Sequence, residues 1–229
     1  MDVFTWGTLG DSYIQMLKIR CIKDNVRVFH YCGNHDYWRS DIEKILRLAP
    51  NVKDVVFERR YDLPEITTDT HEQEMEFFPN LHTELWEAVD ESLRWLLSAK
   101  YTVFQCHSGK PKGGNTKNIN PDYIRSYIKN NKDKNIVLLG TNRELYGDIT
   151  STLNLVGRTD IITAMALVGG ADEFIGAEGL LSFVALSHRV KSDVFYISQD
   201  AVERRIVGTP WEQYANLIGV YHGNSFWVW

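Results

Sequence analysis

The chain has 229 residues, of which 44% are hydrophobic and 24% charged, and these ordinary globular proportions exclude disordered, collagen-like and coiled-coil proteins. The longest uncharged apolar stretch, Ile161 to Ala171, is far shorter than the roughly 20 residues that span a bilayer. Acidic residues outnumber basic ones and give a formal net charge of −5. We therefore expect a soluble protein, and the start at Met1-Asp2, which has no apolar leader, predicts a cytoplasmic one.

The first half of the chain alternates predicted strands and helices. Short apolar runs predict strands at Val3 to Trp6, Val26 to Cys32 and Lys53 to Phe57. Apolar residues at helical spacing follow Asp11, and Ser40-Asp41 caps a second helix that continues to Leu48. This β-α-β-α-β order predicts a parallel sheet with helices on both faces.

An acidic segment separates this half from the next. Residues 62–80 contain Pro64 and Pro79 and show no clean periodicity, so we expect an irregular insertion there. An apolar stripe from Thr83 to Ala99 then predicts one continuous helix.

The pattern restarts at Tyr101 and predicts a second α/β unit. Strands are predicted at Tyr101 to Cys106, Ile136 to Leu139, Leu153 to Val156, Glu173 to Ile175 and Asp193 to Ile197, the last closing the sheet. Helices are predicted at Pro121 to Asn130, Ile161 to Gly169 and Leu180 to Ser187, and the tail is expected to hold a helix start at Pro210-Trp211 and a Gly223-Asn224 turn. Two α/β units predict two domains, residues 1–99 and 100–229, that face each other across a ligand-binding cleft.

Charge is unevenly divided between the two halves. Residues 1–100 carry 12 basic and 18 acidic residues, and ten of the acids lie between Asp62 and Glu91, where no Lys or Arg occurs. By contrast, Lys110 to Lys134 holds seven basic residues against two acids. An anionic ligand is therefore expected to meet the second half.

Three glycine-rich segments follow predicted strands, where parallel α/β sheets collect their ligands. They are Gly7-Thr8-Leu9-Gly10-Asp11, the basic loop from Ser108 to Lys117, and Gly176-Ala177-Glu178-Gly179-Leu180. None fits GxGxxG or a P-loop. Each also has an ordinary explanation, because acids are common at helix starts and lysines are common in surface loops. The spacing of these residues alone does not distinguish ligand binding from these ordinary structural roles.

Several well-known catalytic and redox motifs are absent from the sequence. It contains no HExxH, no GxSxG and no Asp-x-Asp. The three cysteines form no CxxC pair and are expected to be reduced. The histidines lack ligand spacing and are expected to be structural or exposed, although His107, beside the basic loop, is placed to touch a ligand.

Taken together, the glycine turns resemble the GT-B glycosyltransferases, in particular the heptosyltransferases that use ADP-heptose and related nucleotide sugars. In that group the first strand ends in a glycine turn followed by Asp, which corresponds to Gly7, Gly10 and Asp11. The corresponding positions in the second half are Ser108, Gly109 and Lys117 in the basic loop, Val137-Leu138-Leu139-Gly140, Leu155-Val156-Gly157-Arg158-Thr159, and the acid-glycine pair Glu178-Gly179. The resemblance covers five ordered elements over residues 101–197 and one motif in the first half.

The resemblance implies a fold, a reaction and a set of site residues. The fold is two Rossmann-like domains facing a cleft. The reaction is inverting, metal-independent transfer from a nucleoside-diphosphate sugar, without a cofactor, and Asp11 is its general base. The residues implied in donor binding are Gly10, Ser108, Gly109, Lys117, Gly140, Thr141, Glu178, Gly179 and Leu180.

The acceptor and two competing functions remain open at this stage. A saccharide acceptor is favoured by the aromatic residues of the first half, namely Trp6, Tyr13, Tyr37, Trp38 and Tyr61. A DNA-base glycosyltransferase is an alternative because residues 110–134 are basic, although the acidic segment opposes nucleic acid as a partner. A non-catalytic nucleotide-sugar-binding scaffold is another, since Phe183 stands where the resembling group usually has a His. Peripheral membrane contact stays compatible with the sequence.

Overall fold

The first half of the chain forms a small parallel sheet. A computed structural model of the protein describes residues 1–108, 117–196, 199–222 and 225–226. The strands are β1 (Asp2–Trp6), β2 (Val26–Tyr31) and β3 (Val52–Val56), in that spatial order, and they are connected by helices α1 (Leu9–Ile19) and α2 (Arg39–Leu46). The predicted β-α-β-α-β order is confirmed.

Helix α1 forms where the apolar spacing predicts it. Thr8 is its N-cap, and Tyr13, Ile14, Met16 and Leu17 are all fully buried against the sheet and neighbouring helices. Burial on this scale removes most of the apolar surface of the helix from water. The amino end of α1 is thereby fixed beside the carboxyl end of β1.

Residues 62–80 contain no helix or strand, as expected, but the helix predicted from Thr83 to Ala99 is wrong. The structure has α3 (His82–Glu87), then a turn, then a 3-10 helix over Glu91–Ser98. Asp90 interrupts the run because its backbone is extended and its carboxylate accepts a hydrogen bond from the Ser92 amide at 2.8 Å. An Asp used in this way starts a new helix rather than continuing the old one.

The second half forms a larger sheet with doubly wound topology. Its strands are β4 (Thr102–Gln105), β7 (Ile136–Leu139), β8 (Leu153–Asn154), β9 (Glu173–Ala177), β10 (Lys191–Tyr196), β11 (Ala215–His222) and β12 (Ser225–Phe226), and a separate two-stranded ladder pairs β5 (His107–Ser108) with β6 (Lys117–Asn118). The spatial order is β8-β7-β4-β9-β10-β11, all parallel, with β12 antiparallel at the edge. The order reverses between β4 and β9, which is where ligands bind in such sheets.

Five α-helices in the described ranges connect these strands. They are α4 (Pro121–Asn130), α5 (Arg143–Tyr146), α6 (Ile161–Gly169), α7 (Leu180–Ser187) and α8 (Gln199–Arg205). The predicted bounds of α4, α6 and α7 are confirmed. Two predictions for the end of the chain are wrong: β10 does not close the sheet, because β11 pairs with it in parallel, and the helix expected to start at Pro210-Trp211 is a 3-10 turn over Glu212–Tyr214. The predicted Gly223-Asn224 turn lies outside the described residues.

The apolar core is continuous between the two halves. Helices α6 and α7 are buried on nearly all sides, and α7 packs against α1 of the first half. This accounts for the long apolar runs, which belong to core helices. No helix in the part of the chain that the structure describes has the length and apolarity needed to cross a membrane.

Candidate active site

A cavity of about 590 Å³ lies between the two halves, at the carboxyl ends of β1, β4 and β9. Side chains from both halves line it, among them Thr8, Asp11, Lys117, Glu178, Phe183 and Arg205. The structure therefore brings the first and third glycine turns together in one cleft, as the parallel topology predicts.

Asp11 lies at the first turn of α1 with its carboxylate held in a defined orientation. Oδ2 accepts hydrogen bonds from the Thr8 backbone amide at 2.9 Å and from the Thr8 hydroxyl at 3.1 Å. Gly7 makes this possible: its φ is +116°, and a Cβ there would lie 2.6 Å from Oδ2. The structural role expected of a helix-start acid is thus present, and it uses Oδ2 alone.

The amino ends of α1 and α7 meet at the cavity. An added Cβ on Gly10 would lie 3.2 Å from the Leu180 amide nitrogen and 3.3 Å from the Phe183 ring. Gly10 thus permits close packing of the two helices, and both helix dipoles direct their positive ends toward the same space.

Glu178 is the centre of a charged cluster on the second wall. Its side chain is only 2% exposed. Oε2 lies 3.1 Å from Lys117 Nζ, which also donates to the Glu178 carbonyl at 2.6 Å, and Oε1 accepts from Arg205 at 2.9 Å. Two cations therefore neutralise one buried carboxylate, as a buried acid requires.

Arg205 links this cluster to Asp11. Its second guanidinium nitrogen donates to Asp11 Oδ1 at 3.1 Å, and its guanidinium lies 5.5 Å from the centre of the Phe183 ring. Sequence reasoning missed Arg205, because α8 was not predicted and the residue lies 194 positions from Asp11. The one sequence signal for Arg205 is that it is a basic residue in the second half, where an anionic ligand is expected.

Four of the other predicted donor-binding residues lie on the cavity wall. Gly140, Gly179 and Leu180 line the cavity, and so does Thr141, whose hydroxyl lies 2.8 Å from His107 Nδ1. Ser108 belongs to β5 and pairs with Lys117 of β6. Gly109 and the rest of the basic loop up to residue 116 lie outside the described residues.

His30 supports the Gly7 turn from inside the first half. Its Nδ1 lies 2.8 Å from the Thr5 hydroxyl and its Nε2 3.3 Å from the Gly7 carbonyl. A carbonyl can only accept, so Nε2 carries the proton and Nδ1 accepts from Thr5. Burial lowers the pKa of His30 from 6.5 to about 4, despite the Gly7 carbonyl and the nearby Asp11 charge. His30 is therefore neutral at physiological pH.

This shift predicts a loss of stability in mild acid. The unfolded chain binds a proton at His30 near pH 6.5 and the folded chain only near pH 4, so protons favour unfolding between these values. We expect this one group to remove about 2 kcal/mol from the free energy of unfolding between pH 7 and pH 5. Urea unfolding of wild type and His30→Gln at both pH values checks this, with the exposed His71→Gln as control. An equal pH dependence in wild type and His30→Gln would contradict it.

No family model and no curated protein matches this sequence. Solved structures do match. The Escherichia coli ADP-heptose LPS heptosyltransferase II superposes with a TM-score of 0.59 at 14% identity, over 98% of this chain and 92% of that chain. A glycosyl transferase family 9 protein from Veillonella parvula gives 0.50 at 8% identity, over 85% and 80%. Staphylococcus aureus MnaA with UDP gives 0.52 at 10% identity, over 96% and 84%.

These similarities concern the fold. They bear out the expected fold, an α/β architecture of GT-B type.

Proposed function

We propose that the protein is an inverting glycosyltransferase that moves a sugar from a nucleoside-diphosphate donor to a hydroxyl acceptor. The observation that carries this proposal is the convergence, in one cavity of a GT-B fold, of Asp11 from the first half with Lys117, Glu178 and Arg205 from the second. Two of the solved structures with this fold are named for glycosyl transfer and a third was determined with UDP.

The donor occupies the wall formed by the second half. Its diphosphate lies near the amino ends of α1 and α7, where backbone amides and the cations Lys117 and Arg205 stabilise negative charge. Glu178 holds both cations in place.

Transfer needs a base and a stabilised leaving group. Asp11 accepts the proton of the acceptor hydroxyl as that oxygen attacks the anomeric carbon from the face opposite the diphosphate. The carbon–oxygen bond to the diphosphate breaks, and its electron pair stays on the leaving phosphate. Lys117 and Arg205 offset the charge that develops there, so the mechanism we propose uses no metal. Among the described residues, no three His, Cys, Asp or Glu side chains form a group that could hold one.

The acceptor, which we propose to be a saccharide, meets the first half. Trp6, Tyr37 and Tyr61 are 46%, 52% and 64% exposed, and Trp38 lines the cavity. Such rings can pack on the faces of a sugar while their polar atoms form hydrogen bonds. Tyr13, which the sequence placed in this set, is fully buried in the core and takes no part. Tyr31, which is 38% exposed, replaces Tyr13 in this set of surface aromatic residues.

A thermal-shift screen with ADP, UDP, GDP and CDP, and with sugars linked to each, tests the proposal. A ligand at 100 times its Kd should raise the free energy of unfolding by roughly 2.7 kcal/mol. Acceptor saccharides added with the stabilising nucleotide sugar should then release its nucleoside diphosphate. Absence of stabilisation across the whole panel would contradict the proposal, and stabilisation without turnover would favour the non-catalytic scaffold.

Removing Lys117 should weaken donor binding. Lys117→Ala deletes a cation that is one-fifth exposed on the cavity wall and frees one oxygen of the buried Glu178. We expect at least tenfold weaker binding of the stabilising nucleoside diphosphate, measured by calorimetry, since a charge-assisted contact is lost. Lys129→Ala, an exposed lysine in the same basic stretch, is the matched control. Equal affinity in wild type and Lys117→Ala would place the phosphates elsewhere.

Duplex DNA should not bind at physiological salt. Residues 1–100 carry 18 acidic residues against 12 basic ones, and seven of those basic residues are paired with carboxylates, so the acceptor side would repel a duplex. An electrophoretic shift assay at micromolar protein and 150 mM salt checks this. A shifted band that disappears steeply as salt rises would favour the DNA-base alternative.

A further inference from the structure

Arg205 donates a hydrogen bond to Asp11 in the structure. Oδ2 of Asp11 accepts two hydrogen bonds from Thr8, and Oδ1 accepts one from Arg205. A general base must present a lone pair to the acceptor hydroxyl at about 2.6–3.2 Å. The Arg205 guanidinium thus contacts the carboxylate oxygen that Thr8 leaves unpaired, so in this arrangement Asp11 is poorly placed to take a proton.

The other contacts of Arg205 do not depend on Asp11. A different guanidinium nitrogen holds Glu178 at 2.9 Å, and the flat face of the group packs over Phe183. Phe183 is itself fixed by a stacked contact with Trp211, whose ring is parallel to within 15°. Arg205 can therefore release Asp11 while Glu178 and Phe183 keep it anchored.

A diphosphate is the ligand that would draw Arg205 away. A diphosphate offers several charged oxygens to the guanidinium nitrogen that now contacts Asp11, while the other nitrogen stays on Glu178. The phosphates would lie between α1 and α7, next to the nitrogen that now contacts Asp11. Donor and Asp11 thus compete for one donor group of Arg205.

We propose that Arg205 is a donor-responsive switch on the base, an inference that rests on the proposed function. Without a donor, Arg205 blocks Asp11 Oδ1. The donor diphosphate takes over that contact and frees Oδ1 to receive the acceptor proton. When the nucleoside diphosphate leaves, Arg205 pairs with Asp11 again. Asp11 can therefore accept a proton only while the sugar donor is bound. The order of binding that follows is donor first, then acceptor.

A double-mutant cycle on anion binding tests the switch without knowledge of the sugar or acceptor. The probes are inorganic pyrophosphate and the nucleoside diphosphate that stabilises the wild type, titrated by calorimetry. Asp11→Asn removes the competitor for Arg205, and we expect it to tighten pyrophosphate binding about fivefold. Arg205→Ala should weaken binding at least tenfold, and adding Asp11→Asn to it should change affinity less than twofold. Circular dichroism and thermal unfolding establish that each variant is folded.

Two further variants separate the switch from simpler explanations. Asp41→Asn removes a charge from the same cavity without touching Arg205, and should change pyrophosphate affinity less than twofold. Arg205→Lys keeps the charge but loses the two separate nitrogens that reach Glu178 and Asp11, so the Asp11→Asn effect should fall below twofold in that background even if Arg205→Ala is unstable.

If Asp11→Asn tightens pyrophosphate binding in both Arg205 variants as well, the effect reflects charge alone and the switch is overturned. The switch is also overturned if Asp11→Asn does not tighten pyrophosphate binding in the wild-type background. In either case nucleoside-diphosphate binding by the wild type leaves the proposed function standing. Failure of wild type and Asp11→Asn to bind either probe would instead overturn the donor site, and the switch with it.

Discussion

Replacing Asp11 by asparagine is expected to lower kcat for glycosyl transfer by about 10²–10⁴. Asparagine has nearly the same shape and can still accept the Thr8 amide hydrogen bond, so the first turn of α1 should remain intact. It cannot accept a proton from the acceptor hydroxyl. Release of nucleoside diphosphate from the donor in the presence of acceptor is the measurement, and donor affinity should not be weakened.

Asp160→Asn provides the matched control for this loss. Asp160 lines the same cavity and caps α6 by accepting the Thr163 amide at 2.7 Å, so it shares the structural role of Asp11 without the position opposite Arg205. We expect less than a threefold change in kcat. An Asp11→Asn enzyme that keeps more than half of the wild-type turnover would remove Asp11 from the mechanism.

Truncating Trp211 to alanine should lower the free energy of unfolding by about 3–5 kcal/mol. The side chain is fully buried, stacks on Phe183, meets the Phe77 ring edge-on, and donates from Nε1 to the Phe77 carbonyl at 3.0 Å. Loss of the ring leaves a large cavity and one unsatisfied carbonyl at a point where the end of the chain meets the acidic insertion.

Urea unfolding of Trp211→Ala measures this loss, with Trp95→Ala as control. Trp95 is 48% exposed, so its removal should cost less than about 0.5 kcal/mol. Trp211→Phe should fall between the two because it keeps a ring and loses the hydrogen bond. A loss below about 1 kcal/mol for Trp211→Ala would contradict the packing that joins the two parts of the chain.

Local signals in the sequence predict much of this fold. Helix α1 follows from apolar spacing after a glycine turn, and α4 from Pro121 at its first position with Asn120 capping it. The doubly wound order follows from alternating strands and helices. The wrong predictions concern features that depend on one capping residue or on a tertiary contact. These are the helix cap at Asp90 and the pairing of β11 with β10. A stripe of apolar residues carries no signal for either.

The candidate site likewise contains residues that the sequence predicts and one that it does not. Asp11, Lys117 and Glu178 stand beside glycine turns, so sequence order places them after strands of the two α/β units, whose turns are expected to face one cleft. Arg205 has no such marker. It reaches the cleft because α8 returns across the second half after β10, and its partners are set by the packing of Phe183 and Trp211. Contacts between residues 194 positions apart depend on that three-dimensional route.

Hydrogen exchange with and without a bound nucleoside diphosphate tests the central claim, that the cleft between the two halves is a donor site. With ADP or UDP at saturation, whichever binds, we predict slower amide exchange in peptides covering residues 7–12 and 176–183, since both segments line the cavity. Peptides covering residues 125–132, which do not line the cavity, should exchange at the same rate with and without ligand. Saturating binding that leaves both cleft segments unprotected would contradict the account.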